Sequence, residues 1–189
     1  MRHYSRSKAL AELAVREASA AGFETVVIRP RLVWGPGDTT ILPALVDAVR
    51  AGRFAWIGGG NHRTSTTHVD NAVEGLVLGA ARGRPGEAYF VTDGEPIVFR
   101  DFVTRLLATQ GVQAPARSVP SPAARAGAAG AEAVWRLLRL RGDPPLTRLA
   151  VWLASLECTI DIAKARVELA YEPVVSVDDG LVALGRPPA

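Results

Sequence analysis

The sequence predicts an α/β fold organised around a short strand of a parallel sheet and the loop that follows it. Residues 25–28 (TVVI) form an unalternating, β-branched run, which is typical of a strand covered on both faces of a sheet. Pro30 is expected to end this strand because it has no N–H to donate. Residues 35–38 (GPGD) then predict a tight turn. Because ligands meet open α/β sheets at the carboxyl ends of strands, we expect a ligand here.

The composition limits the class of protein. At 189 residues, 48% of them hydrophobic, the chain can bury one large core or two small ones. Cys158 is the single cysteine, so no disulfide framework is predicted and a reducing cytoplasm is the expected compartment. The formal net charge of +3 comes mostly from scattered arginines without a nucleic-acid motif, and no nucleic-acid partner is predicted. The three histidines, His3, His62 and His68, lack ligand-like spacing, so no metal site is predicted. No apolar run is long enough for integral membrane insertion.

A helix precedes the central strand and carries a Tyr–Lys pair. Residues 5–20 are good helix formers, and Gly22 is expected to end the helix. Tyr4 and Lys8 lie four residues apart, so they share a face of this helix. A phenol, whose pKa is ordinarily about 10, exchanges protons poorly at neutral pH unless a nearby cation stabilises its anion. The pair fits proton transfer, and a plain surface pair on a terminal helix would show the same spacing.

Three motifs give the sequence a family resemblance. Residues 4–8 (YSRSK) and 29–38 (RPRLVWGPGD) resemble segments of the extended short-chain dehydrogenase/reductase superfamily, which includes the NAD-dependent epimerases and dehydratases. The second motif is most similar to the 3β-hydroxysteroid dehydrogenase branch, because the sugar-nucleotide branches more often have Tyr at the position of Trp34. Residues 160–173 (IDIAKARVELAYEP) resemble the C-terminal signature of the family, with Ala170 where the pattern usually has Gly.

The resemblance implies a hydride transfer between NAD or NADP and the CH–OH or C=O carbon of a small-molecule substrate. The residue that matches Tyr4 is the general acid/base in this family, and the one that matches Lys8 holds the nicotinamide ribose and lowers the pKa of that tyrosine. The residues that line the nicotinamide end of the cofactor correspond here to Pro30, Arg31, Leu32 and Val33. A sterol-like or other bulky, hydrophobic alcohol or ketone is the implied substrate. A sugar-nucleotide epimerase or dehydratase and a non-catalytic interaction module are the alternatives.

The implied fold is the C-terminal part of a Rossmann-type doubly wound sheet with a small, mostly helical substrate domain. A Pro/Ser break at residues 119–122 separates a partial NAD(P)-binding domain, residues 1–118, from a helical cover region, residues 119–189. The other expected helices cover residues 41–51, 72–80, 99–107 and 123–140, and the other expected strands cover residues 54–57, 64–69 and 88–92. Asp70 and Asp161 are predicted helix caps. The basic, Trp-containing residues 135–141 fit a helix over a hydrophobic pocket, with peripheral membrane association as the alternative.

Part of the family pattern is not found in this sequence. The family's cofactor half begins with a Gly-x-x-Gly-x-x-Gly turn and also carries a ribose selector and a hydroxyl residue beside the catalytic tyrosine. We expect a partner or upstream segment to supply these groups, and we expect the chain alone not to hold a dinucleotide tightly. A fragment, a mis-started reading frame and one half of a split enzyme each fit this expectation, and a homodimer is compatible with all three.

Overall fold

The computed structural model describes residues 2–138, 140, 151–152 and 154–185, and the side chains of residues 2–5 lie outside that description. The chain divides into two compact units, which we call unit 1 (residues 1–41, 64–97 and 159–189) and unit 2 (residues 42–63 and 98–158). The predicted break at residues 119–122 lies inside unit 2, and the division into residues 1–118 and 119–189 stays a prediction. Arg139 and Arg141, part of the predicted basic helix end, lie outside the described residues.

Helices and strands alternate along the described chain, which confirms the predicted α/β class. The helices are α1 (Arg2–Glu17), α2 (Ile41–Arg50), α3 (Val69–Arg82), α4 (Phe99–Ala108), α5 (Ser121–Leu137), α6 (Ala163–Leu169) and α7 (Val177–Leu184). The strands are β1 (Val27–Pro30), β2 (Val33–Trp34), β3 (Trp56–Ile57), β4 (Arg63–Thr64), β5 (Thr67–His68), β6 (Ala88–Val91), β7 (Ile97–Val98) and β8 (Ser118–Val119). None of the described helices is long and apolar enough to cross a membrane.

Unit 1 contains two separate parallel strand pairs. In the first pair, β1 lies beside β6, with Val27 opposite Ala88 and Pro30 opposite Val91. In the second, β2 lies beside β5. The central strand therefore begins two residues later than predicted. Pro30 is its last residue, a position where the missing N–H does not break the hydrogen bonding of the strand pair. Its residues are half-buried or exposed rather than covered on both faces as predicted.

Helix α3 packs closely on β1 and β6 because its inner face is made of small residues. A Cβ atom added at Gly75 would lie 2.8 Å from a Val91 methyl, and one at Gly79 would lie 2.6 Å from the Ile28 side chain. Any larger residue at these positions would push the helix off the sheet. Under the same strands lies a core cluster of six buried residues: Tyr89, Val91, Ile162, Ala165, Leu169 and Tyr171.

The helix α1 ends earlier than predicted. Its last residue is Glu17, five residues before Gly22, the expected stop. The Ser19 hydroxyl accepts a hydrogen bond from the Thr25 N–H at 3.2 Å, and this contact competes with continuation of the helix. The chain then reverses direction and enters β1.

Unit 2 contains its own parallel pair, in which β3 lies beside β8. Trp56 of β3 is 1% exposed, and its Nε1 donates to the Pro115 carbonyl at 2.8 Å. In α4, Phe102, Val103 and Leu106 are buried as the helical periodicity predicts. This unit supplies its own core.

Candidate active site

Helix α1 carries the predicted catalytic pair. Tyr4 lies in its first turn and Lys8 one turn later, so a regular helix places both residues on one side. Lys8 is exposed, whereas the side chain of Tyr4 lies outside the described residues. The helical spacing of the pair is observed, and its role in proton transfer stays a prediction.

A bidentate ion pair joins α1 to β1. The Nε of Arg29 donates to Oε2 of Glu12 at 3.0 Å, and its Nη2 bonds Oε1. These hydrogen bonds hold the pKa of Glu12 below its ordinary value. Further back, the Thr25 hydroxyl donates to the Val15 carbonyl at 3.0 Å. Thr25, before β1, contacts Val15, whereas Arg29, later in the chain, contacts Glu12, which lies nearer the start of α1. The helix and the strand therefore run antiparallel, and Lys8 lies toward the carboxyl end of β1.

The predicted cofactor-facing stretch, Pro30 to Val33, follows β1 and is fastened by one threonine. The hydroxyl of Thr67, a residue that is 0% exposed, accepts from the Arg31 N–H at 3.0 Å and donates to the Arg31 carbonyl at 2.8 Å. The Thr67 N–H in turn donates to the Leu32 carbonyl at 3.2 Å. Leu32 has a φ of 46°, a left-handed conformation that a branched residue adopts only where its surroundings impose it. The four residues therefore form one fixed and locally strained stretch.

The carboxylate of Asp93 ties β2, which follows this stretch, to β5 and α3. Four donors bond it: Trp34 Nε1 at 2.9 Å, Thr66 Oγ1 at 2.7 Å, the His68 N–H at 2.5 Å and Asn71 Nδ2 at 2.7 Å. A carboxylate that accepts several hydrogen bonds is well stabilised in a partly buried position. The turn after β6 thereby holds the ends of β2 and β5 in place.

The buried side chain of Asn71 extends this network to the C-terminal part of the chain. Its Oδ1 accepts from the N–H groups of Val174 and Val175 at 2.8 and 2.9 Å, and its Nδ2 donates to the Val175 carbonyl at 2.8 Å. With the bond to Asp93, the amide is fully satisfied.

His68, rather than the predicted Asp70, caps α3. The Nδ1 of His68 accepts from the Asp70 N–H at 3.3 Å, so Asp70 is the second residue of the helix and the capping prediction was wrong by two positions. The Nδ1 of the imidazole accepts the hydrogen bond that a capping side chain makes, and the residue is only 2% exposed. Its ring meets Trp34 edge-on with 4.9 Å between centroids. A Cβ atom at Gly180 would lie 2.8 Å from this ring, so the histidine is packed on both sides.

Sequence reasoning missed the three residues that organise the site: Thr67, Asn71 and Asp93. None of the three lies in the motifs that carry the family resemblance, residues 4–8, 29–38 and 160–173. The hydrogen-bond partners of Asn71, for example, lie between 22 and 104 residues away in the sequence, so no local pattern reveals them. The one available signal was an Asp directly after a strand in an α/β protein, which marks the ligand edge of the sheet.

The fold is that of known sugar-nucleotide dehydratases. The structure of DesIV, a dTDP-glucose 4,6-dehydratase from Streptomyces venezuelae solved with NAD and TYD bound, matches with a TM-score of 0.65 at 24% identity. The similarity covers 97% of this chain and 49% of that one. At this identity the match shows the fold alone, and it confirms the predicted class, the C-terminal part of a Rossmann-type sheet.

Residues 1–121 match the 3-beta hydroxysteroid dehydrogenase/isomerase family, and the chain belongs to that family. It is 49% identical over 181 residues to the 4-hydroxy-2-methyl-3-oxo-4-farnesyl-3,4-dihydroquinoline-1-oxide ketoreductase of Stigmatella aurantiaca, covering 96% of this chain and 54% of that protein. It is 40% identical over 188 residues to the 2-alkyl-3-oxoalkanoate reductase of Stenotrophomonas maltophilia, covering 94% and 56%. The chain spans about half the length of these curated relatives.

Proposed function

We propose that this chain supplies the proton-transfer and substrate-binding part of an NAD(P)-dependent oxidoreductase that interconverts a ketone and a secondary alcohol on a bulky, largely apolar substrate. The observation that carries the proposal is the docking of α1 on β1 through Glu12 and Arg29. It brings the start of the helix that bears Tyr4 and Lys8 toward the stretch that Thr67 holds. Membership of the family and the ketone-reducing names of the two relatives support the same activity.

In this proposal the residues of α1 handle the proton. During reduction, the Tyr4 hydroxyl donates its proton to the carbonyl oxygen of the substrate, and in the reverse direction its phenolate takes the proton from the alcohol. The ammonium of Lys8 stabilises the phenolate and holds the ribose of the cofactor. When bound, NAD(H) or NADP(H) supplies or accepts the hydride. The carbonyl carbon gains a hydride and its oxygen a proton, so the change from ketone to alcohol is balanced.

The fixed stretch from Pro30 to Val33 fits the nicotinamide end of such a cofactor. Its backbone is held at Arg31 and Leu32 by Thr67, and the strain at Leu32 is of the kind that binding sites retain. The phosphate contacts of the dinucleotide need a glycine-rich turn at a helix N-terminus, which we propose comes from another segment. We therefore expect weak cofactor binding by the chain alone.

A fluorescence titration with NADH tests this expectation. The purified chain should bind NADH no more tightly than the millimolar range, and fusion behind the N-terminal part of a family member with a glycine-rich turn should give micromolar binding and turnover of a ketone. We call this product the fusion enzyme. Micromolar binding by the unfused chain would contradict the proposal that the phosphate contacts lie elsewhere.

The two lysines of the chain give a matched comparison within the fusion enzyme. Lys8→Met should lower kcat by about 100-fold or more, because the phenolate loses its stabilising charge. Lys164→Met removes contacts with the Glu87 carboxylate, the Ala88 carbonyl and the Tyr89 ring, none of them in the proposed site, and should leave kcat within about twofold. Equal effects of the two substitutions would remove the support for Lys8 as a catalytic group.

The alternative activity, that of a sugar-nucleotide epimerase or dehydratase, is supported by the similarity in fold alone. A non-catalytic interaction module predicts that neither lysine substitution changes turnover, because the fusion enzyme would have none.

A further inference from the structure

Two arginines flank Pro30, and only one of them has a partner for its guanidinium among the described residues. Arg29 is satisfied: its guanidinium pairs with Glu12 and lies over the Phe90 ring at 5.1 Å from the centroid. The guanidinium of Arg31 forms no hydrogen bond or ion pair with any described residue, and its Nε is shielded from solvent. Shielded charged donors are normally paired, since water has been removed without compensation.

The backbone of Arg31 is held in place on both sides. Thr67 holds both the N–H and the carbonyl of Arg31, and the next residue, Leu32, has the positive φ. A shielded Nε without a described partner and a left-handed backbone thus occur in adjacent residues. Both features lower stability, so their coincidence points to a ligand that compensates for them when bound.

The chemistry of the ligand follows from the guanidinium. A planar fork of N–H donors matches an anionic group with two oxygens or one strongly accepting oxygen. The names of the two relatives place such an oxygen in the same relation to the reacting ketone. One substrate is a 3-oxoalkanoate, with its carboxylate at position 1, and the other is a 3-oxo compound with a 1-oxide.

We propose that Arg31 determines substrate specificity by binding an anionic oxygen group at position 1 of a 3-oxo or 3-hydroxy substrate. The inference rests on the proposed function, because it requires the reacting carbon to lie at the nicotinamide end of the cofactor. In this arrangement the backbone of the Pro30–Val33 stretch faces the cofactor, and the Arg31 side chain faces the substrate.

Alcohol oxidation by the fusion enzyme tests the inference with stable compounds. The probes are a 2-alkyl-3-hydroxyalkanoate and its neutral carboxamide of the same chain length, compared by their ratio of kcat/KM. Arg31→Gln should lower the acid-to-amide ratio about 10- to 100-fold, as expected for loss of a charge-assisted hydrogen bond. Arg31→Lys should lower it less, because a point charge replaces the fork.

Arg29→Gln is the matched control and should leave the acid-to-amide ratio unchanged, because that guanidinium pairs with Glu12.

NADH titration of each variant then separates the two sources of an anion, the substrate and the cofactor. An unchanged ratio with weaker NADH binding in Arg31→Gln would assign the guanidinium to the cofactor phosphates and overturn the inference, while the proposed function stands. An unchanged ratio with unchanged NADH binding would also overturn it. A fusion enzyme that oxidises neither probe nor any other secondary alcohol would remove the proposed function itself, and the inference with it.

Discussion

Ala170 occupies a backbone conformation that favours glycine. It follows the last residue of α6 with a φ of 55°, and its exposed side chain contributes little packing. Its position as a left-handed C-cap explains why the family pattern usually has Gly there. The sequence comparison identified the departure from the pattern, but only the backbone shows its physical consequence.

Ala170→Gly should therefore stabilise the chain. Relief of the left-handed strain outweighs the greater entropy of an unfolded glycine, and we expect a gain of about 0.5–1 kcal/mol in the free energy of unfolding. Urea denaturation followed by tryptophan fluorescence measures it. Ala163→Gly, at the right-handed start of the same helix, should change stability in the opposite direction. A loss of stability in Ala170→Gly would contradict the strain argument.

Asn71 should be among the least replaceable polar residues of unit 1. Asn71→Ala removes four hydrogen bonds: Asp93 loses one of its four donors, and the backbone groups of Val174 and Val175 lose their partner. We expect a loss of about 2–4 kcal/mol in the free energy of unfolding. The neighbouring Asp70→Asn, at an exposed side chain in the first turn of α3, should lose less than about 1 kcal/mol. Similar losses at the two positions would show that the buried network contributes little.

At the scale of elements, the docking of α1 depends on an ion pair whose strength varies with pH. The Arg29 guanidinium lowers the pKa of Glu12 in the folded chain, chiefly through the hydrogen bond between them. A lowered folded pKa adds stability above the unfolded value of about 4.5, and this contribution is lost as the pH falls through the folded value.

Comparison of the wild type with Arg29→Gln should reveal this dependence. At pH 7 the wild type should be more stable by about 0.5–1 kcal/mol, a modest figure because the pair is partly open to solvent. The difference should shrink as the pH falls below about 4.5 and through the lowered folded pKa of Glu12, because protonation of the carboxylate removes the ion pair. Denaturation curves at several pH values provide the measurement. A difference that does not vary between pH 7 and pH 3 would mean that Arg29 acts through packing on Phe90 instead.

At the scale of the whole molecule, local patterns in the sequence predicted the elements better than their junctions. Helix α4 lies within one residue of its prediction because its apolar stripe is regular. The strand at residues 88–92 was predicted nearly as well, since β-branched and aromatic residues are bounded by a clear turn. The half-buried state of β1 was not predicted, because it depends on residues brought together from distant parts of the chain. The cap of α3 is a local contact, but the packing of the His68 ring against Trp34 and Gly180 is not visible in the sequence.

The candidate site divides in the same way. Tyr4, Lys8 and the stretch from Pro30 to Val33 were named from motifs that are contiguous in sequence. The contacts that hold the stretch in place, made by Thr67 and extended by Asp93, required the fold. Sequence patterns therefore predicted candidate residues, whose roles stay predictions, while tertiary contacts show how the backbone of the Pro30–Val33 stretch is held.

The measurement that tests the central claim most directly is single-turnover ketone reduction by the fusion enzyme, with and without Tyr4→Phe. If Tyr4 is the proton donor, the substitution should lower the rate constant of the chemical step by about 100-fold or more and leave the Kd of NADH nearly unchanged. Tyr89→Phe, which removes a hydroxyl bonded to Glu168, should not alter that step. Reduction at the wild-type rate by Tyr4→Phe would contradict the claim that this chain carries the proton-transfer group of the enzyme.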